Sequence, residues 1–540
     1  MSMITATTWV PRGFAAPFPT KYAFDEEEYS RIAKLAKLQL EDAEEDLEEA
    51  QEEEKKITES SSSKVEVNGS GKSKQQDDEE IDDDLKEYDL EHYDDDLEDT
   101  NGDPVAMFTN TKSMMYYQND EEDPYITLKD DESEDEDREN LQILATDNLL
   151  LAARIEDEVA HLECYVYEDE ADNLYVHHDI MLPAIPLAVE WLDFAVGKAA
   201  GDSKGNFVAV GTMDPDIELW DLDTVDMMYP SAILGQGAED LQEDKGASKP
   251  KKKKKRSKGP NDAYHTDAVL SLAANRHHRS LLASSSADKT IKLWDLNTTK
   301  AAQSYSHHTD KVCALAWHPT ESTVLLSGSY DRTVVAKDMR APASAPPRWG
   351  VESDVETVKW DPLDPNYFYI STESGTLHFH DARNAPSKPE QSKPVWTLAA
   401  HSEALSAFDV NPFIPGYLAT GSVDKTVKLW DITPTGPTQV VSRDLGVGRV
   451  FSTVFAPDRE VGFRLAVAGS KGAVRVWDTS TNRAIRTAFA AKTADGPLKL
   501  DASKEVEERM VALDEDSESD SEEGEDEAEG GADGWESMEE

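Results

Sequence analysis

Ser284-Ser-Ser-Ala-Asp288-Lys-Thr-Ile-Lys-Leu-Trp294-Asp295 returns in the same chain as Thr420-Gly-Ser-Val-Asp424-Lys-Thr-Val-Lys-Leu-Trp430-Asp431, and more loosely as Ser327-Gly-Ser-Tyr-Asp331-Arg-Thr-Val-Val-Ala-Lys337-Asp338. Weaker copies end at Trp220-Asp221, His380-Asp381 and Trp477-Asp478. The marker position falls at 220, 294, 337, 380, 430 and 477, giving intervals of 74, 43, 43, 50 and 47 residues. The first interval is long because a charged insertion at 226–262 lies inside it. A short apolar or alternating run precedes each turn, at Ala188–Trp191, Val269–Leu272, Ala314–Trp317, Val355–Val358, Leu405–Phe408 and Ser452–Phe455. Short β-prone runs bounded by turn residues, repeating near 40–45 residues, predict six units of four strands.

Residues 141–182 predict a seventh unit with three strands, at Leu149–Ala153, His161–Tyr167 and Leu174–Val176. Tyr125-Ile-Thr-Leu128 supplies either its missing strand or the strand that completes the last unit, and the sequence leaves both open.

The repeats carry a polar pattern with a physical logic. Indole N–H is only a donor and carboxylate only an acceptor, so a His and a hydroxyl can bridge them in series. His265, Ser284, Asp288 and Trp294 form one complete set, and His401, Thr420, Asp424 and Trp430 a second. His308, Ser327 and Asp331 form a third, with Lys337 where Trp is expected. Asp214 stands six residues before Trp220, as Asp288 does before Trp294, so it is assigned the same role. The units ending at His380 and Trp477 have Ser374 and Lys471 in place of the turn Asp and are expected to rest on apolar packing. These motifs resemble WD40 repeats. The resemblance implies an all-β, seven-bladed WD40 β-propeller over 141–485, seven being the commonest blade number for that repeat.

Ser, His and Asp in register also suggest a hydrolytic triad. That reading is rejected, because the set recurs blade by blade and no oxyanion or phosphate-cradling motif accompanies it. The doublets His177-His178, His277-His278 and His307-His308 lack the helical spacing of a zinc site and read as surface-loop histidines. No metal or cofactor is expected, nor an enzyme. Two cysteines, Cys164 and Cys313, exclude a disulfide framework and a Cys-based zinc site. No run of 18 apolar residues predicts a membrane span, and no signal peptide is read at the N-terminus.

The formal charge is −57, but it is concentrated. Residues 25–140 hold 44 acidic and 12 basic residues, and residues 505–540 hold 18 and 1. The remaining chain is nearly balanced. Both arms, 25–140 with a short helix and 486–540, are expected to be disordered, because they bury too little apolar surface to offset ordering entropy. Ser133, Ser517 and Ser519 each have an acid three residues on, which suits an acid-directed kinase.

Lys249, Lys251, Lys252, Lys253, Lys254, Lys255, Arg256 and Lys258 place eight positive charges in ten residues of the insertion. They read as a nuclear import signal or as a grip on nucleic-acid phosphates. Residues 1–24 carry Trp9, Pro11, Arg12, Phe14 and Phe18 and no acid, and read as a docking segment that lies along a neighbour. Tyr330, Arg332 and Lys311 are the expected contact patch on one propeller face.

Thr8-Trp-Val-Pro-Arg-Gly13, Val210-Gly-Thr-Met-Asp-Pro-Asp-Ile-Glu-Leu-Trp220-Asp-Leu-Asp223, the lysine block and the acidic flanks together resemble the periodic tryptophan protein 1 family. The resemblance implies a non-catalytic scaffold of the nucleus and nucleolus, acting on early large-subunit (pre-60S) ribosomal particles with their rRNA, assembly factors and ribosomal proteins. The chain would be a monomer within that assembly, with neither membrane nor small-molecule substrate. The alternative is a histone-binding propeller in chromatin. A third reading, a ubiquitin-ligase substrate receptor, rests on Asp338-Met-Arg340 and Asp381-Ala-Arg383, and both lack the preceding Trp.

Overall fold

The computed structural model describes residues 2–22, 141–157, 159–196, 204–235, 261–341, 345–433, 435–493, 500 and 506–513. One compact unit comprises 1–28 and 143–540; the other, 29–142, lies almost wholly outside the described residues. Within the first unit, seven four-stranded antiparallel sheets follow one another. Their first strands touch in cyclic order, and the first strand of the last sheet touches Ser2–Val10. The body is therefore a closed seven-bladed propeller, with each blade running outward from the axis.

Blade 1 is built from Ser2–Val10, Asn148–Glu156, Val159–Glu168 and Asn173–Leu182, in that order. Blades 2 to 7 have as first strands Pro186–Phe194, Val269–Ala274, Val312–Trp317, Val355–Trp360, Ala407–Val410 and Val450–Phe455. Blade 7 ends with Arg509–Ala512, paired to Val474–Asp478. Two expectations are thereby corrected. The missing strand of blade 1 is the N-terminus of the chain, and the propeller extends past 485 into the stretch assigned to the acidic tail. Tyr125–Leu128 lie outside the described residues, but neither position proposed for them is vacant.

The cause is visible in the burial. Ile4, Trp9 and Val10 are buried, Ile4 and Trp9 in one apolar cluster and Val10 in another, because an innermost strand is covered on both faces. Thr7 Oγ1 lies 2.7 Å from Ser452 Oγ in blade 7, and Thr5 Oγ1 donates to the Pro186 carbonyl in blade 2 at 2.8 Å. Equivalent bonds join other blades. Cys313 Sγ reaches the Val355 carbonyl at 2.9 Å, and Ser406 Oγ the Val450 carbonyl at 2.5 Å. Trp317 and Trp360 donate to the Ala273 and Ala316 carbonyls of the preceding blade at 2.9 and 3.2 Å. Trp9 makes the same contact to Val454.

Glycine is required where blades close on each other. A Cβ on Gly328 would stand 2.7 Å from Val355 Cγ1, and one on Gly421 2.5 Å from Val450 Cγ1.

Candidate functional site

In blade 3, His265 Nδ1 lies 2.9 Å from Asp288 Oδ2 and His265 Nε2 2.7 Å from Ser284 Oγ, which accepts the Trp294 indole N–H at 2.7 Å. Trp294 donates to Ser284, Ser284 to neutral His265, and His265 to Asp288, so each donor finds an acceptor. Burial pushes Asp288 up, but the His265 and Thr290 hydrogen bonds outweigh it and hold the carboxyl at about 2. Burial also lowers His265, consistent with the neutral ring. His265 and Ser284 are 1% and 0% exposed, so no substrate reaches them. This geometry braces a blade.

Blade 6 repeats the chain through His401, Asp424, Thr420 and Trp430, every step at 2.9 Å. In blade 4, His308 bridges Asp331 and Ser327 at 3.0 and 2.9 Å, and buried Lys337 takes the Trp position. His307 joins this set, with Nε2 3.1 Å from Ser327 Oγ, and burial lowers its pKa to about 3. The surface-loop reading is thus corrected for His307-His308, and also for His177-His178, which lie half-buried inside the strand Asn173–Leu182, whereas His277 and His278 are exposed.

Asp214 does not enter a relay. It is exposed, and Trp220 donates instead to Glu218 Oε2 at 3.0 Å. The reason lies ten residues before each Trp. Ser284 and Thr420 stand there in the complete sets, but Val210 and Val467 stand there before Trp220 and Trp477. Trp477 is fully buried among apolar side chains, with the Arg443 guanidinium 5.3 Å from its ring. In blade 5, His380 stacks on Phe368 at 5.4 Å, and Ser374 joins a hydroxyl network with Thr372 and Thr376 that reaches Glu352 and His378.

The propeller face that carries the relay turns, here the upper face, holds the expected contact patch. The Tyr330 amide bonds to the Lys311 carbonyl at 3.0 Å, so the two are neighbours. Arg332, at φ 62°, extends to Asp354 in the next blade at 3.0 Å. All three residues are exposed. Burial and the carboxylates of Glu356, Asp354 and Glu373 push the Tyr330 hydroxyl up to about 12. The insertion expected over 226–262 starts later than that, because Ala232–Leu234 pairs with Ile217–Leu219 as the outer strand of blade 2. Its lysine block lies outside the described residues, as do Ser133, Ser517 and Ser519.

The N-terminal segment expected to lie on a neighbour lies on this propeller. Trp9 packs edge-on to Tyr167 at 5.9 Å. After Pro11 the chain crosses the lower face. Arg12 bonds Asn148 Oδ1 and Glu460 Oε2, both at 2.8 Å, bridging blades 1 and 7. Phe14 sits edge-on to Trp191 of blade 2 at 4.8 Å, and Thr20-Lys21 pair with Thr224-Val225. Of the five side chains singled out there, Phe18 is the most exposed, at 38%. Arg340 and Arg383 each pair with the Asp two residues before, at 2.9 and 2.8 Å, so the Asp-x-Arg motifs are local turns.

A model of the WD domain, G-beta repeat, matches residues 263–295, 299–335 and 392–431. Among curated proteins, an uncharacterized WD repeat-containing protein of Schizosaccharomyces pombe is 51% identical over 522 residues, covering 96% of this chain and 97% of its own. Periodic tryptophan protein 1 of Saccharomyces cerevisiae is 40% identical over 536 residues, covering 91% and 90%. The periodic tryptophan protein 1 homolog of Drosophila melanogaster is 29% identical, covering 92% and 98%.

Proposed function

This chain belongs to the periodic tryptophan protein 1 family of WD-repeat proteins, and from that premise we propose that it is a non-catalytic scaffold in the assembly of early large-subunit ribosomal precursors. In this reading the propeller docks on pre-rRNA and assembly factors, in the nucleus and nucleolus. The observation that carries the reading is the use made of the polar residues. The three Ser/Thr–His–Asp sets are consumed in bracing blades 3, 4 and 6, leaving the molecule's two faces as its working parts.

Charge supports the setting. The lysine block at 249–258 fits nuclear import and phosphate contact. The acidic stretches suit shielding of basic ribosomal proteins, tuned by phosphorylation at Ser133, Ser517 and Ser519. The same acids favour a second reading, a histone-binding propeller.

Gradient sedimentation of the tagged full chain from nuclear extract separates the two. Large particles that collapse with RNase support the pre-ribosomal scaffold. Co-migration with nucleosomes, unaffected by RNase, supports the chromatin reading and overturns the first.

A further inference from the structure

After Trp477-Asp478 the chain turns at the lower end of blade 7. Asp478 Oδ1 accepts the Ser480 amide at 3.0 Å and starts a 3-10 turn, Thr479–Thr481. Asn482 Oδ1 then accepts the Ala484 amide at 2.9 Å and caps the helix Arg483–Phe489. Ile485 and Phe489, four residues apart on one face, are fully buried and pack with Tyr417 and Trp477. Arg486, beside Ile485, is carried in with them and is 5% exposed. A cavity of about 460 Å³ opens against it, lined by Arg483 and Arg486 on the helix and by Val506, Glu507 and Glu508 before the last strand.

Only part of the Arg486 guanidinium is used by the fold. Nη1 donates to the Ser480 and Thr481 carbonyls at 3.2 and 2.6 Å. Nε is buried, and neither Nε nor Nη2 has an acceptor among the described residues. Their N–H groups are parallel and form the fork that receives the two oxygens of a carboxylate. The same fork of Arg340 holds both oxygens of Asp338, and that of Arg383 both oxygens of Asp381. In blade 7 the corresponding carboxylate, Asp478, is held by Arg464 at 2.6 Å, and Ser480 stands where those turns have arginine. Buried charged donors without an acceptor are costly, so the empty fork marks a place for an acceptor from outside the blade.

We propose that this cavity binds the carboxylate of an aspartate or glutamate side chain on an acidic peptide segment, received by Nε and Nη2 of Arg486 with Arg483 as the second cation. The charge balance fits one such group. Glu508 is spent on Arg443 at 2.6 and 2.7 Å, which leaves Arg483 and Arg486 against Glu507, one positive charge in excess. A doubly charged phosphate meets the same two glutamates and gains less from a planar fork than a carboxylate does. Two sources carry the ligand: the chain's own acidic run, which begins at Asp514 just after the strand Arg509–Ala512, and an acidic segment of a partner protein. The site does not depend on which particle the protein serves.

The test uses the full chain with ¹⁵N in the arginine side chains and ¹³C in the valine methyls, beside a second full-length chain whose acids from 514 to 540 are changed to the matching amides. The probes are two blocked pentapeptides, Gly-Ser-Glu-Ser-Gly and Gly-Ser-Gln-Ser-Gly. In the amide chain the glutamate peptide is expected to move the Arg486 Nε–H and Val506 methyl signals saturably, and the glutamine peptide to leave them in place. In the native chain, signals already at the bound position identify the chain's own tail as the source, and signals that move as peptide is added identify a partner; each supports the site. Arg486→Lys keeps the charge and a donor for the two carbonyls but removes the fork, and weakens binding about tenfold or more, read on Val506. Arg340→Gln, in blade 4, leaves binding unchanged. Equal shifts with the glutamine peptide, undiminished binding to Arg486→Lys, an equal loss in Arg340→Gln, shifts with inorganic phosphate alone, or no response in either chain would each overturn the assignment.

Discussion

The indole N–H of Trp9 donates to the backbone carbonyl of Val454 at 3.1 Å, across 445 residues of sequence. Blade 7 is thereby joined to the start of the chain, which is the inner strand of blade 1. Fixing partners so distant costs loop-closure entropy, and an edge left unpaired would expose a strand to other chains.

Trp9→Ala removes both the bond and a buried ring. It should destabilise the propeller by about 3–5 kcal/mol, and Phe18→Ala, at the exposed end of the same segment, by less than about 0.5 kcal/mol. Urea unfolding of the full chain reads the difference.

The relay predicts an asymmetry between two aspartates in equivalent turns. Asp288→Ala leaves buried His265 and Thr290 without their acceptor and should cost about 1–3 kcal/mol. Asp214→Ala, on an exposed residue outside any relay, should stay within about 0.5 kcal/mol. Equal losses in thermal melts would refute the distinction.

Glu218 predicts a pH dependence. Burial raises its carboxyl from 4.5 to about 7, although the Trp220 N–H favours the charged form. A folded-state pKa above the unfolded one means the protonated carboxyl favours folding. This contribution is complete below about pH 4.5 and is lost as pH rises through 7. Glu218→Gln stays neutral throughout. The variant should match the native protein near pH 4.5 and exceed it by about 3 kcal/mol at pH 8, read as the difference between their unfolding curves.

Gly421→Ala drives a methyl against Val450 and Thr453 of the next blade and should cost about 1–3 kcal/mol. Val450→Ala in the same chain should recover part of that loss. A double variant no better than the sum of the singles would place the strain elsewhere.

Much of this architecture is legible in the sequence. The relay could be read because its geometry fixes spacing: His, hydroxyl, Asp and Trp fall at constant offsets in blades 3 and 6. Asp214 misled because one offset, from Asp to Trp, was matched while the hydroxyl ten residues before Trp220 was absent. The N-terminal strand carried a signal that was missed. Ala6-Thr-Thr-Trp9 has the spacing of Ala188-Val-Glu-Trp191 and Ala314-Leu-Ala-Trp317, both read as first strands. Its distance from the other repeats and the prolines after it made it look like a loose docking arm. Arg509–Ala512 gave no such signal, since four residues beside an acidic run, partly or fully exposed, carry too little alternation to mark a strand.

The central claim, that the chain's own N-terminal strand closes the ring, is tested most directly by a cross-link. Thr7 Oγ1 and Ser452 Oγ are 2.7 Å apart, so Thr7→Cys with Ser452→Cys places two thiols within bonding reach. A protease site inserted between residues 60 and 76 then separates the strand from the rest of the chain. After mild oxidation and cleavage, the two fragments should migrate together on a denaturing non-reducing gel and separate with reductant. Fragments that separate without reductant, under conditions that oxidise a control dithiol, would contradict the closed ring.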